Sequence, residues 1–599
     1  MSANLLIIFV LSQKGLNHFL MKHLKYLNKF LWNYRKTLFL GLCFIFITNI
    51  FAIYPAEFVR TALDSLLERL NGTENKGISL LLLKYGCLIV LFAILKGVFL
   101  YFTRQTIIVM SRKIEFDLKN EVFDQYQKLS IGFYKQNKTG DLMNRITEDI
   151  SKVRMYLGPA IMYTINLSIL FSLVIYKMCS VSIILSVYVL TPLPLLAISV
   201  YFVSNKINKK SEKVQAQLST ITAISQESFS GIRIIKSFTN EENSLNVFYE
   251  SCKKYTQRQI ELIKIEAMFI PLIITLIGIS TVLIIYIGGL EVFKGNITTG
   301  NIAEFIIYVN MLAWPVASVG WVTSLIQRAA ASQERINEFL QIKAEIQNTS
   351  NSKEPINGDI EFINVNLIYD DTKIKALDNL SFKINEGKQI GIFGKTGSGK
   401  TTIANLICRL YDVTNGAIKI NNLDIKSTNL NTLRTSIGYI PQDGYLFSGT
   451  IRENISFADD LDNIEEVKIA AQKAEMLDEI NSFPDKFNTI IGERGVQLSG
   501  GQRQRLAIAR VFYKKPKIYI FDDCLSAVDA NKEQKILKNL RIETKDKTTI
   551  IISHRVSTLE KSDNIIVLDN GAISEQGTHN ELLKNKKFYS QIHVNQANK

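Results

Sequence analysis

Cysteine is scarce and scattered in this chain: six in 599 residues, at Cys43, Cys87, Cys179, Cys252, Cys408 and Cys524, with no CxxC pair and no metal-ligand spacing. That distribution excludes a disulfide framework and a cysteine-ligated zinc module. Also missing is any basic patch interleaved with aromatic residues, or any base-reading motif, so the net charge of +15 does not imply nucleic acid as a partner. No small-residue cleavage pattern follows the apolar run Asn4 to Leu11, which is too short to span a bilayer. Residues 1–20 are therefore expected to be a dispensable extension, disordered or absent from the mature product. Met21-Lys22-His23-Leu24-Lys25-Tyr26-Leu27 then reads as a basic amphipathic stretch suited to a membrane interface.

What the chain has in abundance is apolar sequence, 47% of its residues, concentrated in the N-terminal half. Runs long enough to cross a bilayer, which takes about 17 to 25 residues, lie near 37–59, 78–102, 157–178, 181–203, 269–293 and 302–326. These predict an all-α membrane domain of six spans over 21–341, the third and fourth forming a hairpin about a tight region at Lys177 to Ser180. Lys84 and Lys96 interrupt the second span and are expected to snorkel or to face a polar interior. Segments Arg104 to Arg154 and Lys206 to Lys264 are rich in basic residues, whereas the loop Gly295 to Thr299 carries no charge. By the positive-inside rule both termini face the cytoplasm, and the lysines flanking the spans account for the net charge. Both basic segments also read as helices that carry the spans onward. Helical periodicity breaks over 342–358, at Asn348-Thr349-Ser350-Asn351-Ser352 and Pro355, which marks a linker to a second domain at 359–599.

That second domain contains an apolar strand, Gln389 to Phe393, followed by Gly394-Lys395-Thr396-Gly397-Ser398-Gly399-Lys400-Thr401 and a helical pattern from Thr402 to Leu410. A strand, a glycine-rich turn and a helix in that order form a P-loop: the glycines let backbone N–H groups converge on phosphates and the helix N-terminus adds a favourable partial charge. Lys400 is placed to hold the β- and γ-phosphates of ATP, and Thr401 to ligate Mg²⁺. The pentapeptide Leu498-Ser499-Gly500-Gly501-Gln502 stands before a helical run, Arg503 to Val511.

The P-loop and this pentapeptide together resemble the ATP-binding cassette of ABC transporters, over the whole stretch from about Ile360 to the C-terminus. The fold implied is a six-helix transmembrane domain followed by an α/β P-loop NTPase cassette, the arrangement of a type IV exporter half-transporter. The resemblance implies that two cassettes meet head to tail, so that Ser499, Gly500, Gly501 and Gln502 of one chain cover an ATP held by the other. It further implies nucleotide contacts from Gly394 through Thr402 and an adenine stack on Tyr369. Gln442, in Tyr439-Ile440-Pro441-Gln442-Asp443, corresponds to the glutamine that reaches the metal and the attacking water. Asp522 ends a buried-strand run, Ile518-Tyr519-Ile520-Phe521, and joins Thr401 and Gln442 on Mg²⁺. Ser526-Ala527-Val528-Asp529 resembles the loop that crosses the dimer interface, and His554 the switch histidine at the γ-phosphate. Thr139 to Asp141 and Ser228 to Ile232 match the turns that couple cassettes to the membrane domain. With so short an N-terminal extension, no fused peptidase of the kind some relatives carry is expected.

One position departs from the family's active pattern: Asp523 stands where a glutamate usually polarises the attacking water. One methylene fewer draws the carboxylate back by roughly 1 to 1.5 Å, and a general base must lie within about 2.6 to 3.2 Å of its proton. The catalytic set is thus Asp523, His554 and Gln442, and three arrangements stay open. The chain is a self-sufficient homodimeric exporter, the weakly hydrolysing half of a heterodimer, or a nucleotide-gated membrane subunit with little hydrolysis. The expected cargo is a small amphipathic molecule or lipid moved across the cytoplasmic (inner) membrane. Tyr54, Tyr163, Met311 and Trp314 either line its path or pack between helices.

Overall fold

The structure, a computed structural model, describes residues 22–71, 78–348, 350, 356–457, 463–492 and 498–597. The expected extension 1–20 lies outside the described residues, as do Met21, Thr349 and 351–355 of the expected linker. Two compact units emerge: the first runs to Gln127 and resumes over Gly140–Ile342, and the second joins Lys128–Thr139 to Lys343–Lys599.

The first unit is helical. Among the described residues, five helices are long and apolar enough to cross a membrane: Arg35–Arg69, Ile78–Lys128, Thr139–Val181, Glu241–Phe293 and Thr299–Leu340. The 51 residues of Ile78–Lys128 would extend about 77 Å at 1.5 Å per residue, well beyond a hydrocarbon core of about 30 Å. The basic segments are thus continuations of the spans, as their sequence suggested. The apolar run at 181–203 differs from expectation. It is divided between helices Ile183–Leu190 and Pro192–Ser230, because Pro192 supplies no N–H to continue the first helix and instead opens the second. The hairpin break also falls later than Lys177 to Ser180: helix Ile161–Val181 runs through that region, and the chain turns at Ser182, whose hydroxyl accepts from the Leu185 N–H at 3.3 Å. Met311 packs in the helical core, while Trp314 is 76% exposed.

Among the buried polar side chains of this unit, Glu304 is a carboxylate with its side chain only 1% exposed. It survives burial because three donors reach it: Arg60 Nη1 at 3.2 Å, Asn301 Nδ2 at 3.1 Å and the Tyr308 hydroxyl at 2.8 Å. One turn further along the first span, Asp64 accepts from Thr298 Oγ1 at 2.7 Å and from the Gly300 N–H at 2.8 Å, capping the helix Thr299–Leu340 from a neighbouring helix. That approach requires glycine at 300, since a Cβ there would sit 2.5 Å from the Arg60 carbonyl oxygen.

The second unit contains twelve strands among the described residues: β1 (Ile360–Ile368), β2 (Lys375–Ile384), β3 (Gln389–Gly394), β4 (Asn415–Ile420), β5 (Leu423–Asp424), β6 (Ile437–Ile440), β7 (Gly449–Thr450), β8 (Ile490–Ile491), β9 (Ile518–Asp522), β10 (Thr548–Ile552), β11 (Asn564–Asp569) and β12 (Ala572–Gly577). The main sheet has the order β12-β11-β3-β10-β9-β6, parallel from β11 to β6, and a second, antiparallel sheet has the order β2-β1-β4-β5. Every residue of β9 and β10 is buried, whereas β1 and β2 alternate, which is the difference between strands covered on both faces and strands covered on one. Alternate residues of β9 serve two cores. Ile518 and Ile520 pack with Ile390, Ile392 and the helix Lys400–Ile407, while Tyr519 and Phe521 pack with the helices Gly500–Lys514 and Ala530–Glu543.

Removing Arg60 leaves a buried carboxylate uncompensated, so Arg60→Ala should cost about 3 kcal/mol of stability, read as a lowered thermal midpoint in lipid. Adding Glu304→Gln should restore most of it. Equal midpoints for the single and double variants would refute a charge-compensation role for Arg60.

Candidate nucleotide-binding site

Because β3, β10, β9 and β6 run parallel, their C-terminal ends share one edge of the sheet, where open α/β sheets bind ligands. In register, Ile392 of β3 stands beside Ile552 of β10, which stands beside Asp522 of β9, and Phe521 stands beside Ile440 of β6. The loops leaving that edge carry Gly394–Gly399, Asp522 with Asp523, His554 and Gln442. Residues from four distant stretches of sequence are thereby collected in one place.

The glycine-rich loop needs its glycines for stated reasons. Gly399 has φ +98°, and a Cβ on it would lie 2.6 Å from the Ala376 carbonyl oxygen. Lys400 folds back over the loop, donating to the carbonyls of Gly394 at 2.7 Å and Lys395 at 2.6 Å. Burial lowers the Lys400 pKa, opposed by the charges of Asp523 and Asp522. Ser398 is 4% exposed and its Oγ has no partner, an orphaned hydroxyl within the loop. Such a group fits a site that receives a polar ligand.

Asp522 is buried, and that burial raises its pKa against the hydrogen bonds it accepts from the Thr401 and Tyr439 hydroxyls, the latter at 3.4 Å. A hydroxyl and a carboxylate in direct contact, with the negative charge under-compensated, form a donor set that fits a hard divalent cation. Asp523 follows in the left-handed region at φ 47°, with its N–H held by the Ile552 carbonyl at 2.9 Å and its Oδ1 2.8 Å from His554 Nδ1. Tyr369 sits in the β1–β2 turn, half-buried, its hydroxyl 3.0 Å from Thr402 Oγ1.

Some participants gave little warning in the sequence. Gln504 donates to the Gln442 carbonyl at 3.4 Å and to Ser526 Oγ at 3.2 Å, and accepts from the Ala527 N–H at 3.0 Å, tying the glutamine loop to the loop after Asp523. Arg555 donates to the Ser526 carbonyl at 3.1 Å and to Glu533. Lys135 lies in the short helix Ile131–Gln136, just ahead of the expected turn at Thr139 to Asp141. Its Nζ is 5.1 Å from the Tyr369 ring centroid and 5.3 Å from that of Tyr411.

Ser499, Gly500, Gly501 and Gln502 stand at the start of the helix Gly500–Lys514, where a Cβ on Gly501 would lie 2.8 Å from the Ala527 carbonyl oxygen. Ser499 caps the helix Gly500–Lys514 in a reciprocal box: Gln502 N–H donates to Ser499 Oγ at 3.2 Å, and Ser499 N–H to Gln502 Oε1 at 2.8 Å. Gln502 Nε2 then donates to Glu479 at 3.0 Å, and Arg505 grips the same carboxylate with two bonds of 2.9 Å, joined by Lys532. Burial alone would raise the Glu479 pKa, but these donors outweigh it and bring it down to about 2.

A fused helical domain and P-loop cassette of this kind define an ATP-driven membrane transporter. The family description "ABC transporter transmembrane region" matches residues 38–316, and "ABC transporter" matches 377–526. The chain is 34% identical to the probable multidrug resistance ABC transporter ATP-binding/permease protein YheI of Bacillus subtilis, over 92% of this chain and 93% of that protein. It is 32% identical to an ATP-dependent lipid A-core flippase of Syntrophus aciditrophicus, over 90% and 88% of the two chains. Its fold is similar to a bacterial Atm1-family ABC exporter solved with ATP bound, with a TM-score of 0.75, 26% identity and coverage of 95% and 98%. The chain belongs to the ABC transporter family. It is an integral membrane ATPase coupled to export, of the half-transporter type that works as a dimer.

Since the folded-state pKa of Glu479 lies below its ordinary value, its stabilisation is complete above about pH 4.5 and is lost as pH falls towards 2. Glu479→Gln should therefore cost about 2 kcal/mol at pH 7, read by denaturation of the full chain, and its deficit should shrink as pH is taken to 3. A deficit constant with pH would remove the charge argument.

Proposed function

We propose that this chain binds ATP at the loop Gly394–Thr402 with Tyr369 under the adenine, and spends its hydrolysis on moving a small amphipathic molecule or lipid out across the cytoplasmic membrane. The observation that carries the reading is the convergence of Lys400, Thr401, Gln442, Asp522, Asp523 and His554 at one sheet edge. Mg²⁺ held by Thr401, Gln442 and Asp522 would supply neutralising charge to the β- and γ-phosphates. Lys400 exchanges its two loop carbonyls for phosphate oxygens. Asp523 orients the attacking water, and His554, already 2.8 Å from it, fixes that carboxylate and approaches the γ-phosphate. The second half-transporter contributes its own Ser499 to Gln502 face, and closure of the two cassettes drives alternating access in the membrane domain. The basic helix extensions favour cytoplasmic cassettes and termini. The names of relatives, one a multidrug protein and one a lipid flippase, support the cargo class.

A second reading rests on Asp523: this chain is the slow-site half of a heterodimer whose other half brings a glutamate. Measuring mass and ATP turnover on the same lipid-reconstituted sample of this chain alone separates the two. Turnover from a dimer of identical chains establishes the homodimer, and ATP binding without turnover establishes the need for a partner. In either case Asp523→Glu should raise turnover by about 10- to 100-fold, and an unchanged rate would show that acid length is not limiting.

A further inference from the structure

Two of the chain's five histidines meet outside the nucleotide site. His579, His593 and Glu560 each offer a ligand atom, and these atoms all lie within 4.8 Å of one another. They come from three separate pieces of the cassette: Glu560 directly follows the short helix Val556–Leu559, His579 opens the helix His579–Lys584, and His593 lies on the C-terminal helix Phe588–Ala597. The two imidazole rings are 5.5 Å apart between centroids and inclined at 69°. A fourth residue orients one of them: the buried Tyr589 places its hydroxyl 2.9 Å from His579 Nδ1. In the tautomer that donates Nδ1–H to that hydroxyl, Nε2 presents its lone pair, the outer-sphere arrangement common to metal-binding histidines.

We propose that Glu560, His579 and His593 bind a zinc-class divalent cation, with water completing the coordination, and that the cation staples the C-terminal helix to the segment carrying His554. Two imidazoles and one carboxylate are the ligand chemistry of zinc rather than of magnesium or calcium. The mechanical consequence follows from what that helix already touches. Gln596 donates to the His554 carbonyl at 2.9 Å and accepts from the Val556 N–H at 2.9 Å. At the other end, Phe588 and Tyr589 pack on Phe393 with ring centroids 5.9 and 5.3 Å apart, and Lys395 Nζ lies 5.1 Å from the Phe588 ring. The helix therefore touches both the base of the glycine-rich loop and the histidine loop. A cation that fixes it would restrain both.

The test uses the full chain in lipid, carrying an affinity tag free of histidine and stripped with a chelator. Zinc ion is titrated in competition with a chromophoric indicator. The expected result is one zinc per chain, with affinity weakened about tenfold or more in Glu560→Gln and in His593→Asn. Both sites of change are at least partly exposed and His579 is left to its tyrosine, so the fold is preserved; ATP binding measured without zinc should match the unmodified chain. Hydrogen exchange across 588–597 should slow on adding zinc, and should not slow in the two variants. Equal zinc affinity in all three proteins would overturn the site, and unchanged exchange on binding would overturn the staple.

Discussion

Everything the cassette does depends on strands β3, β10, β9 and β6 running in one direction with apolar cover on both faces. Parallel register is what brings the ends of four strands, distant in sequence, to a common edge. The register is fixed because the two faces meet different cores: Ile518 and Ile520 fill one and Tyr519 and Phe521 the other, so a slip of one residue would exchange side chains of different size between them. The polar residues that matter stand just beyond the last apolar residue of each strand. Asp522 shows the consequence most clearly: it is the end of a wholly buried strand and so holds a carboxylate where solvent cannot stabilise it.

The membrane unit solves a related problem with different means. Helices of this length satisfy their own backbone, so polar side chains are needed only where helices approach each other closely. Glu304 with its three donors and Asp64 with the amide of Gly300 occur within a few residues of each other, where the first and last spans meet. Specific polar pairing at one end of a helix pair, with apolar packing along the rest, fixes the relative register of the two helices.

The legible part of this protein was the part encoded in consecutive residues. The glycine-rich loop, the apolar runs of β9 and β10, and the positions of Asp522, Asp523 and His554 could be read because a local pattern determines a local structure. Breaks within apolar helices were harder. Hydropathy does not distinguish a run that continues through Ser180 from one that stops there, and Pro192 shifts a boundary without changing composition. Least legible were residues whose meaning is a distant partner: Glu479 among Gln502, Arg505 and Lys532, Gln504 between two loops, Lys135 against Tyr369, and the grouping of Glu560 with His579 and His593. Each looks like an ordinary surface residue until the fold sets its neighbours.

The capping box at Ser499 bears on how two cassettes would close. Its hydroxyl and the amide of Gln502 are engaged with one another, so the first turn of that helix has an internal partner. In the proposed dimer, phosphate oxygens of the ATP held by the facing chain would replace the serine oxygen at the same amide. At that amide the helix end thus passes from an intramolecular acceptor to an intermolecular one. Closure of the two cassettes then becomes an exchange of acceptors rather than the creation of a site from nothing.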